Sequence, residues 1–294
     1  MEKILETKKL LFVTDFEKLW FDALRSLKDL RKSSFDHVVF LNVIERTRVA
    51  MRRGSGYGKS EEIRLREIAN IRFIEWAEYL FEEGLEVGVY IVVGSLVKQV
   101  VSAVEKEGID LIVMGHLQKN RLERLYSGSE VNEIIRRAKT PLLVFKYKTE
   151  KGDTYGRPFK KPILAVDWPS SRIEKILDTL TEFKDAIQEL NIIHVASPRE
   201  IKGDSVCGAQ KIRKDFRRKL EELCDRFEER GIKALPHIFI GDTVPEIEKA
   251  ARECRATMII AGSSGKGEWT EKWVGSVSGK LASESVLPTL VLPA

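Results

Sequence analysis

The chain has 294 residues, a formal net charge of +5 and 32% charged residues, with basic and acidic side chains interspersed rather than segregated. That balance excludes a strong polyanion-binding character, and the length suits two domains of about 100–150 residues each. The start Met1-Glu2-Lys3-Ile4-Leu5-Glu6 is charged and the longest apolar runs are strand-sized, so a cytoplasmic chain without signal peptide, membrane span or nucleic-acid partner is expected.

Lys9–Asp15 opens with an apolar run long enough for one buried strand. Trp20, Leu24, Leu27 and Leu30, spaced by four and three, predict one face of a helix. His37–Ile44 is the second predicted strand. A long helix before Gly84 is expected to carry Ile71, Ile74, Ala77 and Phe81 on its apolar face. There follow a strand at Val89–Val93, a helix from about Ser95 to Lys106, and a strand at Leu111–Met114. A helix after Gly128 places Val131, Ile134, Ile135 and Ala138 on one side, and Pro141–Lys146 is the last strand of this half.

Lys148–Lys160, rich in charge and glycine, reads as a linker between a first domain at 1–147 and a second at 161–294. The second half repeats the order, with strands at Ile163–Val166, Leu190–Val195, His237–Ile240, Thr257–Ala261 and Thr289–Leu292. Continuous apolar strands alternating with amphipathic helices predict an α/β fold: two tandem, doubly wound, Rossmann-like parallel sheets.

The halves are copies. Gly94 matches Gly241, Gly115 matches Gly262, Gly128 matches Gly275, and Pro141 matches Pro288, each at an offset of 147 (for example 262 − 115 = 147). Asp15 and Asp167 differ by 152, as do Val43 and Val195, so five extra residues lie in the first copy between Val43 and Gly94. So long a shared register marks an internal duplication.

Each copy places glycines just past its fourth strand. In copy two they are Gly262, Gly265 and Gly275, followed by Ser276, Val277 and Ser278. Glycines after a strand let backbone N–H groups approach a bound group closely, and a Gly-Ser that opens a helix adds unpaired donors at the positive end of its dipole. Two such turns facing one crevice make a phosphate cradle. Copy one keeps Met114-Gly115 and Gly128-Ser129, but Gln118 stands where copy two has Gly265, and Val131 where it has Ser278.

On these residues the chain resembles the universal stress protein family along nearly its whole length, as a tandem pair. The family's nucleotide-binding members carry an Asp at the end of strand one and a Gly-2x-Gly-9x-Gly-(Ser/Thr) motif after strand four, both complete in copy two. The resemblance implies ATP or AMP as ligand, with Mg2+ or Mn2+ accompanying ATP. Ala165, Asp167 and Val195 would line the adenine side, Ala261 and Gly262 the ribose, and Gly265, Gly275, Ser276, Val277 and Ser278 the phosphates. The corresponding set in copy one is Asp15, Val43, Met114, Gly115, Gly128 and Ser129. It also implies an internal pseudo-dimer paired through the last strands, Pro141–Lys146 and Leu287–Leu292, with a further homodimer open.

Several features invite other readings. Arg53-Gly54-Ser55-Gly56-Tyr57-Gly58-Lys59-Ser60 looks like a P-loop, but Arg53 occupies the first glycine position and no strand directly precedes it. Cys207, Cys224 and Cys254 form no Cys-x-x-Cys pair, and His37, His116, His194 and His237 show no metal-ligand spacing, so no metal site is expected. The basic stretch Lys211–Lys219 reads as the solvated face of an amphipathic helix. No catalytic constellation emerges. The expected function is therefore an adenine-nucleotide-binding regulatory protein of the stress response. The alternatives are an enzyme of slow ATP hydrolysis or nucleotidyl transfer, and a structural partner-binding scaffold with empty sites.

Overall fold

The structure is a computed structural model, and it describes residues 7–16, 18–49, 58–117, 128–147, 156–167, 172–197, 206–263 and 276–293. The chain divides into two compact units, one made of Met1–Arg25 and Ser34–Thr154, the other of Ser26–Ser33 and Tyr155–Ala294.

In the first unit the strands are β1 (Lys8–Val13), β2 (Phe35–Glu45), β3 (Glu86–Gly94), β4 (Leu111–Leu117) and β5 (Leu142–Tyr147), ordered β3-β2-β1-β4-β5. The second unit has β6 (Pro162–Val166), β7 (Leu190–Ala196), β8 (Ala234–Ile240), β9 (Met258–Gly262) and β10 (Thr289–Leu292), ordered β8-β7-β6-β9-β10. Within each unit every pairing is parallel. The uninterrupted apolar strands explain this arrangement. Leu10, Leu11, Phe12 and Val13 are all buried, as strands covered on both faces require.

The helices are α1 (Lys18–Ser26), α2 (Arg46–Val49), α3 (Lys59–Glu82), α4 (Leu96–Glu107) and α5 (Gly128–Ala138) in the first half of the sequence. In the second half they are α6 (Ile173–Thr181), α7 (Val206–Glu229), α8 (Thr243–Glu253) and α9 (Ser276–Glu284). The predicted stripe of α5 is buried throughout: Val131, Ile134, Ile135 and Ala138. Two expectations need correction. Leu24, Leu27 and Leu30 are buried as predicted, but not on one helix. Past Ser26 the chain tightens into a 3-10 turn at Lys28–Ser33, with Leu30 N–H donating to Leu27 C=O at 2.9 Å.

The second correction concerns α3. Its buried side carries Ala69, Trp76, Ala77 and Leu80, whereas Ile71, Ile74 and Phe81 are 61%, 54% and 60% exposed. The helix is apolar around much of its circumference, so spacing alone does not select the inner face. The aromatic residues decide it. Trp76 meets Phe16 at 5.2 Å, Phe21 at 5.3 Å and Phe40 at 5.7 Å between ring centroids, locking that side against the sheet.

The second unit has an aliphatic counterpart built from Ile163, Ile193, Ile247, Ile259 and Leu281, with Ala261 closing it at the carboxyl end of β9. Phe159, near the end of the predicted linker, is 2% exposed and stacks on Phe183 at 5.1 Å.

Candidate functional site

Strand order reverses direction in each unit between its first and fourth strands, and the crevice past their carboxyl ends is where such sheets hold ligands. In the second unit β6 lies between β9 and β7, with Ala165 level with Ala261 and Val166 level with His194. Continuing that register by one residue brings Asp167, Val195 and Gly262 to the same rim. Asp167 is exposed there, while Ala165 and Val195 are half-buried against the aliphatic core. In the first unit Val13 pairs with Leu41 on one side and Met114 on the other, which sets Asp15 and Gly115 on either side of the reversal and Val43 beside them.

The rim is braced the same way twice. Asn42 Nδ2 donates to Thr14 C=O at 2.9 Å, and His194 Nδ1 donates to Val166 C=O at 3.0 Å. Both donors sit on the second strand and both acceptors immediately precede the strand-one Asp, at the 152-residue offset of the duplication (194 − 42 = 166 − 14 = 152). The histidine is 2% exposed, so its ring is a structural brace, held with Nδ1 protonated. The predicted strand Leu190–Val195 contains His194 but gave no hint of Asn42 as its counterpart, because the two side chains share only a donor group.

The glycines separate into two kinds. A Cβ on Gly241, whose φ is +151°, would stand 2.9 Å from Glu246 Cγ, so this residue serves the fold at the turn into α8. At Gly262 a Cβ would meet nothing within 4 Å. Among the described residues no group demands glycine there, and the space it leaves opens at the strand-order reversal. A small open cleft borders the same residue, lined by Arg172, Lys175 and Thr179 of the α6 segment and by Gly262 and Ser263. The two cations had no motif to announce them. Their signal in the sequence is only an i, i+3 pair at the start of the helix that follows Asp167.

Farther along, α9 begins at Ser276, and its first turn carries half-buried Val277 and buried Ser278. Gly265 and Gly275, together with Gln118 in the first copy, lie outside the described residues, as do Arg53–Tyr57 of the P-loop look-alike. Gly128 and Ser129 start α5, Ser129 exposed, and Met114 and Gly115 are buried. In the first unit the residue after Asp15 is strained: Phe16 has φ +60°, with its N–H donating to Thr14 Oγ1 at 2.8 Å and its ring buried at 2% exposure. The aromatic cluster draws the ring inward and holds the backbone in that region.

A model of the universal stress protein family matches residues 6–146 and again 159–293. The chain belongs to the universal stress protein family. Two curated relatives each align along nearly their whole length with about half of this chain. The universal stress protein MJ0577 of Methanocaldococcus jannaschii is 30% identical over 155 residues, covering 48% of this chain and 96% of that protein. YxiE of Bacillus subtilis is 27% identical over 147 residues, covering 46% and 99%. A universal stress protein structure from Archaeoglobus fulgidus matches 98% of this chain and 99% of its own length, with a TM-score of 0.70 at 22% identity, which fixes the tandem fold. In this universal stress protein, no described helix is long and apolar enough to cross a membrane, and the described residues contain no group of three or more His, Cys, Asp or Glu fit for a metal ion.

Proposed function

We infer that the second unit binds an adenine nucleotide, ATP or AMP, and that the chain acts in the stress response as a regulatory binder rather than a fast enzyme. The observation that carries this reading is the open space at Gly262, which sits at the strand-order reversal beside exposed Asp167 and the cleft of Arg172 and Lys175. Ala165, Asp167 and Val195 hold the base, with Asp167 accepting hydrogen bonds. Ala261 and Gly262 let the ribose lie against backbone. Gly265, Gly275, Ser276, Val277 and Ser278 offer N–H groups and hydroxyls to the phosphates at the start of α9. Arg172 and Lys175 add positive charge on the neighbouring wall, where hydrogen bonds to a charged group contribute about 1.5–3 kcal/mol. A divalent ion would arrive on the phosphates of ATP, since the described residues supply no ligand cluster of their own.

Fast hydrolysis needs an oriented water, a base within hydrogen-bond reach and a clamp on the phosphates. Asp167 is committed to the base of the nucleotide, and among the described residues no carboxylate lines the cleft beside Gly262. Turnover is therefore expected below about 1 per second, the low end of enzyme rates.

Mass spectrometry of nucleotide released from the purified chain identifies the ligand, and titration calorimetry of wild type against Gly262→Val locates it. The added Cβ meets no described group within 4 Å, so the thermal midpoint should hold while affinity falls at least ten-fold. Equal affinity in the two proteins would remove the assignment.

A further inference from the structure

Five of the large hydrophobic residues exposed among the described residues lie on one helix, α3: Ile63, Ile68, Ile71, Ile74 and Phe81. Ile63, Glu67, Ile71, Ile74, Glu78 and Phe81 recur every three or four residues and form a single outward stripe. At 1.5 Å per residue it runs about 27 Å. Its exposed apolar area is on the order of 400 Å², within the range of patches on monomers that serve as binding surfaces.

The charges on α3 are not balanced at this face. Arg64 is held by Glu61 through two hydrogen bonds of 2.8 and 2.6 Å. Arg66 is held by Glu62 at 2.7 Å and by Ile91 C=O, and Arg72 donates to Phe16 C=O at 3.4 Å. Glu67, Glu75, Glu78 and Glu82 are exposed, and no ion pair joins them to a cation among the described residues. The equivalent helix of the second unit, α7, exposes both signs of charge, with Arg213, Lys214, Arg217 and Arg218 beside Asp215, Glu221 and Glu222, and none of the large exposed hydrophobics among the described residues falls on it.

We propose that the outer face of α3 docks a basic amphipathic helix of another protein. Its apolar side lies along Ile63, Ile71, Ile74 and Phe81, and its Lys or Arg side chains meet Glu67 and Glu78, eleven residues apart (78 − 67 = 11). This is the helix-on-apolar-face mode of recognition, with anchors at helical spacing and charge complementarity setting the choice of partner. A second copy of the chain fits the face poorly. An antiparallel pair that sets Ile71 over the partner's Ile74 also sets Glu67 over the partner's Glu78 (71 + 74 = 67 + 78 = 145), a like-charge opposition. An anionic lipid surface is repelled by the same glutamates.

The test uses the full chain and a fluorescent probe peptide of three heptads, with leucine at the a and d positions and lysine flanking them, beside a twin with glutamate in place of lysine. Fluorescence anisotropy should give at least ten-fold tighter binding of the lysine peptide, weakening with salt. Ile71→Ser with Ile74→Ser should cost the lysine peptide at least ten-fold, and Glu67→Lys with Glu78→Lys should reverse the preference between the twins. These positions are exposed, and circular dichroism checks that the variants keep the fold. Equal binding of the two peptides, binding of neither, or unchanged affinity in the isoleucine variant overturns the proposal. Sedimentation of the wild type as a dimer that Ile74→Ser separates would instead assign the face to a second copy.

Discussion

The two units share a frame and differ at the features that a ligand or a partner would meet. The brace on the strand-one carbonyl is the same in both, Asn42 in one and His194 in the other. The cores around it differ: Phe12, Phe16, Phe40 and Trp76 pack edge to face in the first unit, and isoleucines fill the second. The glycine motif is interrupted by Gln118 and Val131 in the first copy, and complete in the second. Among the described residues, the long helix carries exposed isoleucines and unpaired glutamates on its outside in the first, and charges of both signs in the second. Duplication relaxes the demand that each copy do everything. The physical outcome here is one unit arranged around an open crevice and another arranged around a rigid aromatic cluster with an external apolar stripe.

The largest effect should come from making the copies alike at the phosphate turn. The wild-type chain is expected to bind one nucleotide, in the second unit. Gln118→Gly restores the backbone freedom that close phosphate approach needs, and Val131→Ser restores the hydroxyl. The double variant should raise the stoichiometry in titration calorimetry from one to two. A value of two in the wild type would erase the distinction between the copies.

The frame was legible in the sequence because it rests on apolar runs and on register. Every predicted strand overlaps an observed one, although β2, β7 and β8 carry polar residues such as Asn42, His194 and His237, and the offsets of 147 and 152 paired the equivalent rim residues of the two copies. The inner face of α3 was not legible. Ile71, Ile74 and Phe81 have the spacing of a core stripe, and only the partners of Phe73 and Trp76 on β1 and β2 reveal that the helix turns its other side inward. Arg172 and Lys175 escaped notice for a similar reason. A cation pair on a helix gains meaning only once the fold sets it beside Gly262.

The core difference can be tested directly. Trp76 is 5% exposed and touches the rings of Phe12, Phe16, Phe21 and Phe40. Trp76→Ala should cost about 3–5 kcal/mol, the usual penalty for emptying a buried aromatic site. Urea unfolding followed by circular dichroism should then resolve an early transition for the first unit. A single unshifted transition would mean that the cluster carries little of the unit's stability.

A smaller contrast lies at Lys146, whose counterpart in the second copy is Pro293 (146 + 147 = 293). The lysine is 2% exposed, and burial pushes its pKa down from 10.5 to about 7. Between pH 7 and 10.5 the unfolded chain holds this proton and the folded chain does not, so stability rises with pH across that window; below 7 both forms are charged and the dependence from this group vanishes. From pH 8 to 9.5 the gain should be about 2 kcal/mol at 1.36 kcal/mol per pKa unit. Lys146→Met should remove that slope in urea titrations at the two pH values, and an unchanged slope would mean that the ammonium keeps its charge in the fold.

The smallest effect concerns the residue that follows the fourth strand's leading helix. Gly108 ends α4 with φ +64°, and Arg255, 147 positions on, occupies the same place after α8 with φ +51°. Left-handed backbone costs a residue with a Cβ about 1–2 kcal/mol and costs glycine nothing comparable. Arg255 is exposed and makes no ion pair among the described residues, so its side chain offsets little of that strain. Arg255→Gly should therefore stabilise the second unit. The gain is reduced by the greater freedom of glycine in the unfolded chain, about 0.4–1 kcal/mol, leaving roughly 0.5–1 kcal/mol net. Gly108→Ala should do the opposite in the first unit: a Cβ there meets nothing within 4 Å, so backbone strain alone would destabilise it by about 1 kcal/mol. Urea midpoints of the two variants should move in opposite directions. Movement in the same direction would show that Arg255 gains from contacts what its backbone loses.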